Sequence, residues 1–141
     1  MKVLIAVDDT EESIDAVHLA YRTFGADADY MVVSIGSVTP IIPPAPAGMA
    51  PSYVMISELA DEVRDAARAA VAAAKAELGV EAETVAAIGS PGSTICQLAE
   101  DRQVDVIVIG SHDRGIWDRL FHPSVGRHVV DKAPCSVLVV R

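Results

Sequence analysis

Aromatic residues are scarce: one Trp, two Phe and three Tyr make up 4% of the 141 residues. A core without ring bulk has to be built from Val, Ile, Leu and Ala. Cysteine is nearly absent too. Cys96 and Cys135 form no CxxC pair, and no His stands at zinc-finger spacing. A disulfide scaffold and a zinc module are thereby excluded, and the expectation is two reduced, buried thiols in a cytoplasmic protein. Basic residues are few, 11 against 20 acidic ones, for a net charge of −9. This excludes a general nucleic-acid binder, which needs Lys and Arg to displace counterions from phosphates. It leaves room for a small anionic ligand in a local pocket of different sign. No apolar run reaches membrane-spanning length, so no membrane partner is expected. The opening MKVLIAVDD turns acidic after seven residues, too soon for a signal core and cleavage site. Sequence repeats are missing, and the only compositional bias is an Ala-rich stretch.

What is present is a globular composition, 51% hydrophobic and 22% charged, of a length suited to one domain over 1–141. Residues 2–7, KVLIAV, run apolar without alternation and read as a strand buried on both faces. Asp8 and Asp9 stop it. Asp9 with Glu12 fits a helix N-terminal capping pattern. Ile14, Val17, Tyr21 and Phe24 recur at helical spacing until Gly25. Residues 30–35, YMVVSI, give a second buried strand, so the first 35 residues have the size of a βαβ unit.

Residues 36–56 hold five of the eight prolines and no charge. Proline removes amide donors, so this stretch reads as a long, partly ordered loop. Its apolar content suits either a neighbouring subunit or the rim of a ligand cleft, and a mobile insertion is the plainer alternative. Ser57 is placed to cap a helix over 58–78, with Leu59, Val63, Ala66, Ala67, Ala70, Ala74 and Leu78 as a narrow stripe of mostly small residues. The more polar stretch 80–88 reads as an edge strand. Ser90-Pro91 opens a helix that turns Ile95, Leu98 and Ala99 inward. Residues 104–109 form a fourth strand, 124–131 a last helix and 136–140 a fifth strand. His18 and His128 fall on helix surfaces. Alternation of strands and helices with right-handed crossovers predicts an α/β fold, an open five-stranded parallel sheet with helices on both faces.

In such a sheet a ligand sits beyond the carboxyl ends of the strands, where the winding reverses. The two most apolar strands, the first and fourth, should be the central pair. The candidate floor is then Asp8-Asp9-Thr10 after the first and Gly110-Ser111-His112-Asp113 after the fourth. Ser124 and Val125, at the start of the last helix, would add free amides and the positive end of its dipole. Gly110, Gly115 and Gly126 fit neither GxGxxG nor GxxxxGK[ST]. Five side chains that carry or can take positive charge lie in or beside this segment: His112, Arg114, Arg119, His122 and Arg127. Pairing of Arg119 and Arg127 with Asp118 and Asp131 is the plainer use of those two. His112 and Asp113 with Ser111 or Ser124 meet no requirement for a nucleophile, base and orienting group, and no GxSxG turn is present, so enzymatic activity is at most weak ATP hydrolysis.

Three segments together, KVLIAVDDTEESIDAVHLA, DVIVIGSHDRG and SVGRHVVDKAPCSVLVVR, resemble the universal stress protein (UspA-like) family over nearly the whole chain. The resemblance implies an adenine nucleotide alpha-hydrolase-like sheet of strand order 3-2-1-4-5. It also implies a homodimer that pairs C-terminal edge strands, here Val137, Leu138, Val139 and Val140. A bare apolar edge favours a partner on its own account. Nucleotide-binding members carry Gly, two residues, Gly, nine residues, then Gly-Ser. On this chain those positions are Gly110, Asp113, Pro123 and Ser124, so two of three glycines are replaced. A carboxylate at Asp113 repels phosphate unless a metal intervenes, and Pro123 offers no amide hydrogen. Loss of one charge-assisted bond costs about 1.5–3 kcal/mol, and two such losses weaken ATP binding ~100-fold or more. On the adenine and ribose side Asp8 matches the family's acidic residue, Thr10 replaces a serine, Asp9 stands where Gly is usual, and Ile35 lies beside the base. The implied site is Asp8, Thr10, Ile35, Gly110, Asp113, Ser124 and Val125. No cofactor is required by a motif and no metal ligand set is present; the resemblance admits ATP or AMP with Mg²⁺. The expectation is a non-enzymatic dimeric stress-response protein with a degenerate nucleotide site and weak or absent ATP binding. The alternative is an ATP- or AMP-binding regulatory module in which Arg114, Arg119 or Arg127 replaces the lost donors.

Overall fold

The computed structural model describes residues 1–38, 53–110 and 124–141. Nine elements follow one another: β1 (Lys2–Ala6), α1 (Glu11–Phe24), β2 (Asp29–Gly36), α2 (Tyr53–Leu78), β3 (Ala82–Ile88), α3 (Pro91–Asp101), β4 (Val106–Gly110), α4 (Ser124–Lys132) and β5 (Ser136–Val140). The strands form one parallel sheet in the order β3-β2-β1-β4-β5, as the resemblance implies. β1 lies between β2 and β4, with Ile5 opposite Val32 on one side and Val108 on the other. The winding reverses between β1 and β4, because the chain builds outward to β3 before it returns.

Strand periodicity divides the core in two. Val3, Ile5, Val32 and Val108 point to the face covered by α1, through Ala16, Val17 and Ala20, and by α2, through Ala70, Val71, Ala74 and Leu78. Leu4, Met31, Val33, Ile107 and Ile109 point to the opposite face, covered by Ile95 and Ala99 of α3 and Val129 of α4. The scarcity of aromatics has the foreseen outcome: among the described residues Tyr30 is the one aromatic in the fully buried set. Its hydroxyl donates to the Gly25 carbonyl at 2.8 Å, which satisfies a polar group that burial would otherwise penalise. Gly25 ends α1 at φ +75°, a left-handed value that costs a glycine little, and its amide donates to the Tyr21 carbonyl.

Five local expectations are corrected. α1 takes Thr10, not Asp9, as its N-cap residue, because the Asp8 carboxylate organises the turn instead. Its inward face is Ser13, Ala16, Val17 and Ala20, while Tyr21 stands 38% exposed; the face is centred between Ser13 and Ala20, which leaves Val17 at its margin and Tyr21 roughly 90° off by the 3.6-residue period. α2 begins at Tyr53, so Ser57 lies inside the helix rather than capping it, and Leu59 and Ala66 are exposed. His128 is half-buried rather than fully on the surface: its ring lies against α3, 3.0 Å from where a Cβ on Gly92 would stand. Gly36, assigned to the loop, is the last residue of β2, and residues 39–52 of that loop lie outside the described residues. His18 does sit on the surface, 3.1 Å from Glu77 of α2, an exposed pair of small energetic weight.

Cys96 and Cys135 are free and half-buried rather than fully buried. Burial pushes both thiols up from their usual range, and the Tyr30 phenol likewise. The native state therefore keeps protons at a pH where the unfolded chain has lost them. The contribution is complete below the ordinary thiol range and disappears as pH rises through the raised native values. Urea midpoints should accordingly fall as pH is raised from neutral into the alkaline range, and alkylation of both cysteines at neutral pH should be slower in the native than in the unfolded protein. Equal native and unfolded alkylation rates would contradict the burial argument.

Candidate functional site

The ends of β1, β2 and β4 meet at one edge of the sheet, because all strands are parallel. Val7 extends β1 by one further bond, its amide donating to the Val33 carbonyl at 2.8 Å. The chain then turns at Asp8. The Asp8 Oδ1 accepts from the Thr10 amide at 3.1 Å, the Thr10 hydroxyl at 2.5 Å and the Ser13 hydroxyl at 2.5 Å. The Asp8 amide donates in turn to the Ser13 Oγ at 3.0 Å. An Asp side chain that accepts from the amide two residues on makes a compact turn, and here the turn delivers the chain into α1. Thr10 contributes no cap of its own, since its hydroxyl is committed to Asp8.

β4 brings the same turn in from the other side. A Cβ on Gly110 would stand 2.8 Å from the Glu12 carbonyl oxygen and 3.1 Å from its carbon. Only a residue without a side chain allows β4 to end directly beneath the first turn of α1. α4 is seated on the same strand: a Cβ on Gly126 would lie 3.8 Å from Ile109 Cδ1, and Val125 packs partly buried against the core of that face. Ile35, next to last in β2, is half-buried on that face too. The structure thus brings Asp8, Thr10, Ile35, Gly110 and Val125 to one edge. Ser124 is the first residue of α4, so its backbone is at that edge. Asp113 lies outside the described residues, as do Ser111, His112, Arg114, Gly115, Asp118, Arg119, His122 and Pro123.

Ser13 was missed. It is only 4% exposed and makes two hydrogen bonds to Asp8. A signal for it exists: a hydroxyl on the inward stripe of an amphipathic helix needs a partner, and Asp8 is an acceptor at the strand end that the helix start folds over. The charge at the edge is negative on the β1 side. Asp8 and Asp9 precede α1, and Glu11 and Glu12 occupy its first turn, where the helix dipole favours acids. Arg127, in the first turn of α4, is 84% exposed with its Nε 3.6 Å from Asp131. Among the described residues no cluster of His, Cys, Asp and Glu has the arrangement of a metal site.

A larger hollow of about 740 Å³ opens at the opposite, amino edge, walled in part by Lys2, Asp27, Asp29, Glu81, Glu83 and Arg102. Its cations are already engaged. Lys2 donates through Nζ to the Arg102 carbonyl at 2.9 Å, and Arg102 lies 2.8 Å from Glu83. The carboxyl edge, where three strand ends, a helix N-terminus and the chain reversal coincide, is the better candidate.

A β3-β2-β1-β4-β5 sheet whose first strand ends in an anchored aspartate beside a helix N-terminus is the architecture of an open, doubly wound α/β domain. Comparison makes the assignment narrower. The chain matches the universal stress protein family over residues 1–141, and it belongs to that family. It is 30% identical over 141 residues to universal stress protein MJ0531 of Methanocaldococcus jannaschii, covering 99% of this chain and 81% of that one. It is 31% identical over 150 residues to YxiE of Bacillus subtilis, covering 99% and 98%. Among solved structures it resembles MJ0577, also of M. jannaschii, with a TM-score of 0.75, 26% identity and coverage of 99% and 94%. Two neighbours that share the fold at lower identity carry nucleotides. One is a universal stress protein in complex with cAMP (TM-score 0.62, 23% identity, coverage 100% and 96%). The other is an Arabidopsis thaliana family protein with AMP bound (TM-score 0.64, 17% identity, coverage 99% and 90%).

Substitution of Gly110 by Ala should force β4 and α1 apart, because the obstructing atoms belong to the backbone and cannot rotate away. The expected cost is ~1–3 kcal/mol in urea denaturation, as for overpacked cores. Wild-type stability in that variant would show that the two elements are not in the contact described.

Proposed function

We propose that this universal stress protein is a non-enzymatic, dimeric stress-response module whose carboxyl-edge cleft receives an adenine nucleoside monophosphate in preference to ATP. The observation that carries this reading is the anchored Asp8, with three donors converging on its Oδ1 at the reversal between β1 and β4. The adenine and ribose side of the cleft is built and rigid. The bound cAMP and AMP of two fold neighbours support a nucleotide there.

The phosphate side is depleted. At the glycine positions of the nucleotide-binding pattern this chain carries Asp113 and Pro123. One adds a negative charge and the other removes an amide donor. The acids Asp8, Asp9, Glu11 and Glu12 add like charge along the β1 side. A triphosphate bears more charge than a monophosphate and suffers more from each of these. Mg²⁺ would offset part of the repulsion, with the Asp113 carboxylate as the one added ligand the substitution supplies. Of the arginines that stand to replace the lost donors, Arg127 is engaged, among the described residues, by an exposed and weak pair with Asp131, so a phosphate competes for it at small cost. Arg114 and Arg119 are the other two candidates for that role.

Dimerisation is part of the same reading. β5 is a sheet edge of sequence SVLVV with no charge, Val139 is 39% exposed on it, and Val130 of α4 is 56% exposed. An apolar edge of this kind templates a second strand unless it is covered, and a second copy of the chain covers it symmetrically. Among the described residues no helix is long and apolar enough to cross a membrane.

Calorimetric titration should give AMP a tighter dissociation constant than ATP with Mg²⁺, the latter weaker than about 100 µM, with no phosphate release above background. Micromolar ATP binding would overturn the depleted phosphate side. Sedimentation should show a dimer that Val139→Lys converts to monomer by bringing like charges together across the paired edges. A monomeric wild type at micromolar concentration would remove the dimer from the proposal.

A further inference from the structure

Asp8 is held from one side only. Every donor that reaches its carboxylate from the described residues lands on Oδ1: the Thr10 amide, the Thr10 hydroxyl and the Ser13 hydroxyl. Oδ2 receives none of them. The two hydroxyls differ in what stands behind them. Thr10 is half-buried and belongs to the same turn as Asp8, so it moves with it. Ser13 is 4% exposed and belongs to the inward face of α1, between the sheet and the rest of that helix face. Its one hydroxyl hydrogen goes to Asp8 Oδ1, and its oxygen accepts the Asp8 amide at 3.0 Å. Ser13 therefore fixes both the main chain and the side chain of Asp8. Its own place is fixed by β4, since Gly110 abuts the carbonyl of the preceding residue, Glu12.

We infer that Ser13 is a positioning residue for the cleft. By saturating one carboxylate oxygen it holds Asp8 in a single rotamer that leaves Oδ2 as the acceptor presented to the ligand. A hydroxyl or amine of the nucleoside is the donor such an oxygen takes. This rests on the nucleotide reading of the same cleft. A carboxylate free to rotate would spread its acceptors over several directions, and each productive contact would then carry an ordering cost.

The test has two independent readouts. Three-bond NMR couplings report the Asp8 χ1 without ligand: a single rotamer is expected in the wild type and rotamer averaging in Ser13→Ala. AMP affinity is then measured by calorimetry in wild type, Ser13→Ala, Asp8→Asn and the double variant. Ser13→Ala should weaken AMP roughly tenfold, the size of one hydrogen bond to a charged group. In the Asp8→Asn background the same change should have little further effect, which a general loss of packing would not produce. Ser13→Cys, close in size but a poor donor, should behave as Ser13→Ala does, and it serves should the alanine variant fail to fold. Unchanged couplings, unchanged AMP affinity despite averaged couplings, or fully multiplicative losses in the double variant would each overturn the inference. A wild type that takes up no AMP would instead sink the nucleotide reading, with the couplings still deciding whether Ser13 sets Asp8.

Discussion

The pairing of β1 with β4 is the constraint on which the rest of the molecule depends. These two strands are not successive in the chain, and nothing local brings them together. They are joined because Leu4, Ile5, Ile107 and Val108 have no exposed face left between two layers of helix. Burial on both sides removes any alternative register, since a one-residue slip would exchange the sets that face α1 and α3. Once the pair is formed, the end of β4 lies under the first turn of α1, and the turn that carries Asp8 has one available shape. The cleft is thus a consequence of core packing and not of loop chemistry.

Two halves of that cleft follow different physical rules. The half nearest β1 is made of side chains and turns whose polar groups satisfy one another before any ligand arrives. That internal satisfaction is what makes it rigid, and rigidity reduces the entropy lost on binding. In the proposed reading the other half would depend on backbone amides left free for an anion. Such amides are easily lost to substitution, because a single imino acid or a single side chain removes them. Departures from the family pattern at 113 and 123 fall in the second half, and those at 9 and 10 fall in the first. Thr10 keeps the hydroxyl that a serine would have offered, and Asp9 points to solvent. Divergence of ligand among relatives is what this asymmetry would produce.

The fold was highly legible in the sequence, and the reason is the double burial. KVLIAV, YMVVSI and DVIVIG are continuous apolar runs, which only a parallel interior strand needs, and the polar run over β3 announced an edge. Helix starts were less legible. Asp9 and Ser57 have the composition of caps, yet the first is displaced by the hydrogen bonds of Asp8 and the second is overtaken by the length of α2. Composition identifies a residue able to cap, whereas tertiary contacts decide whether it is used. In the site, Asp8, Thr10 and Gly110 could be placed by topology alone, because a parallel sheet puts every strand's carboxyl end on one edge; Val125 came from the start of the last helix and Ile35 from the family resemblance. Ser13 was invisible to that argument, since it is a helix residue rather than a strand-end residue, and its role exists only through Asp8.

The aliphatic core has an optical consequence. Trp117, the sole tryptophan, stands in sequence between β4 and α4 and lies outside the described residues. The described strands and helices hold no indole, so the near-ultraviolet signal of their buried set rests on Tyr30.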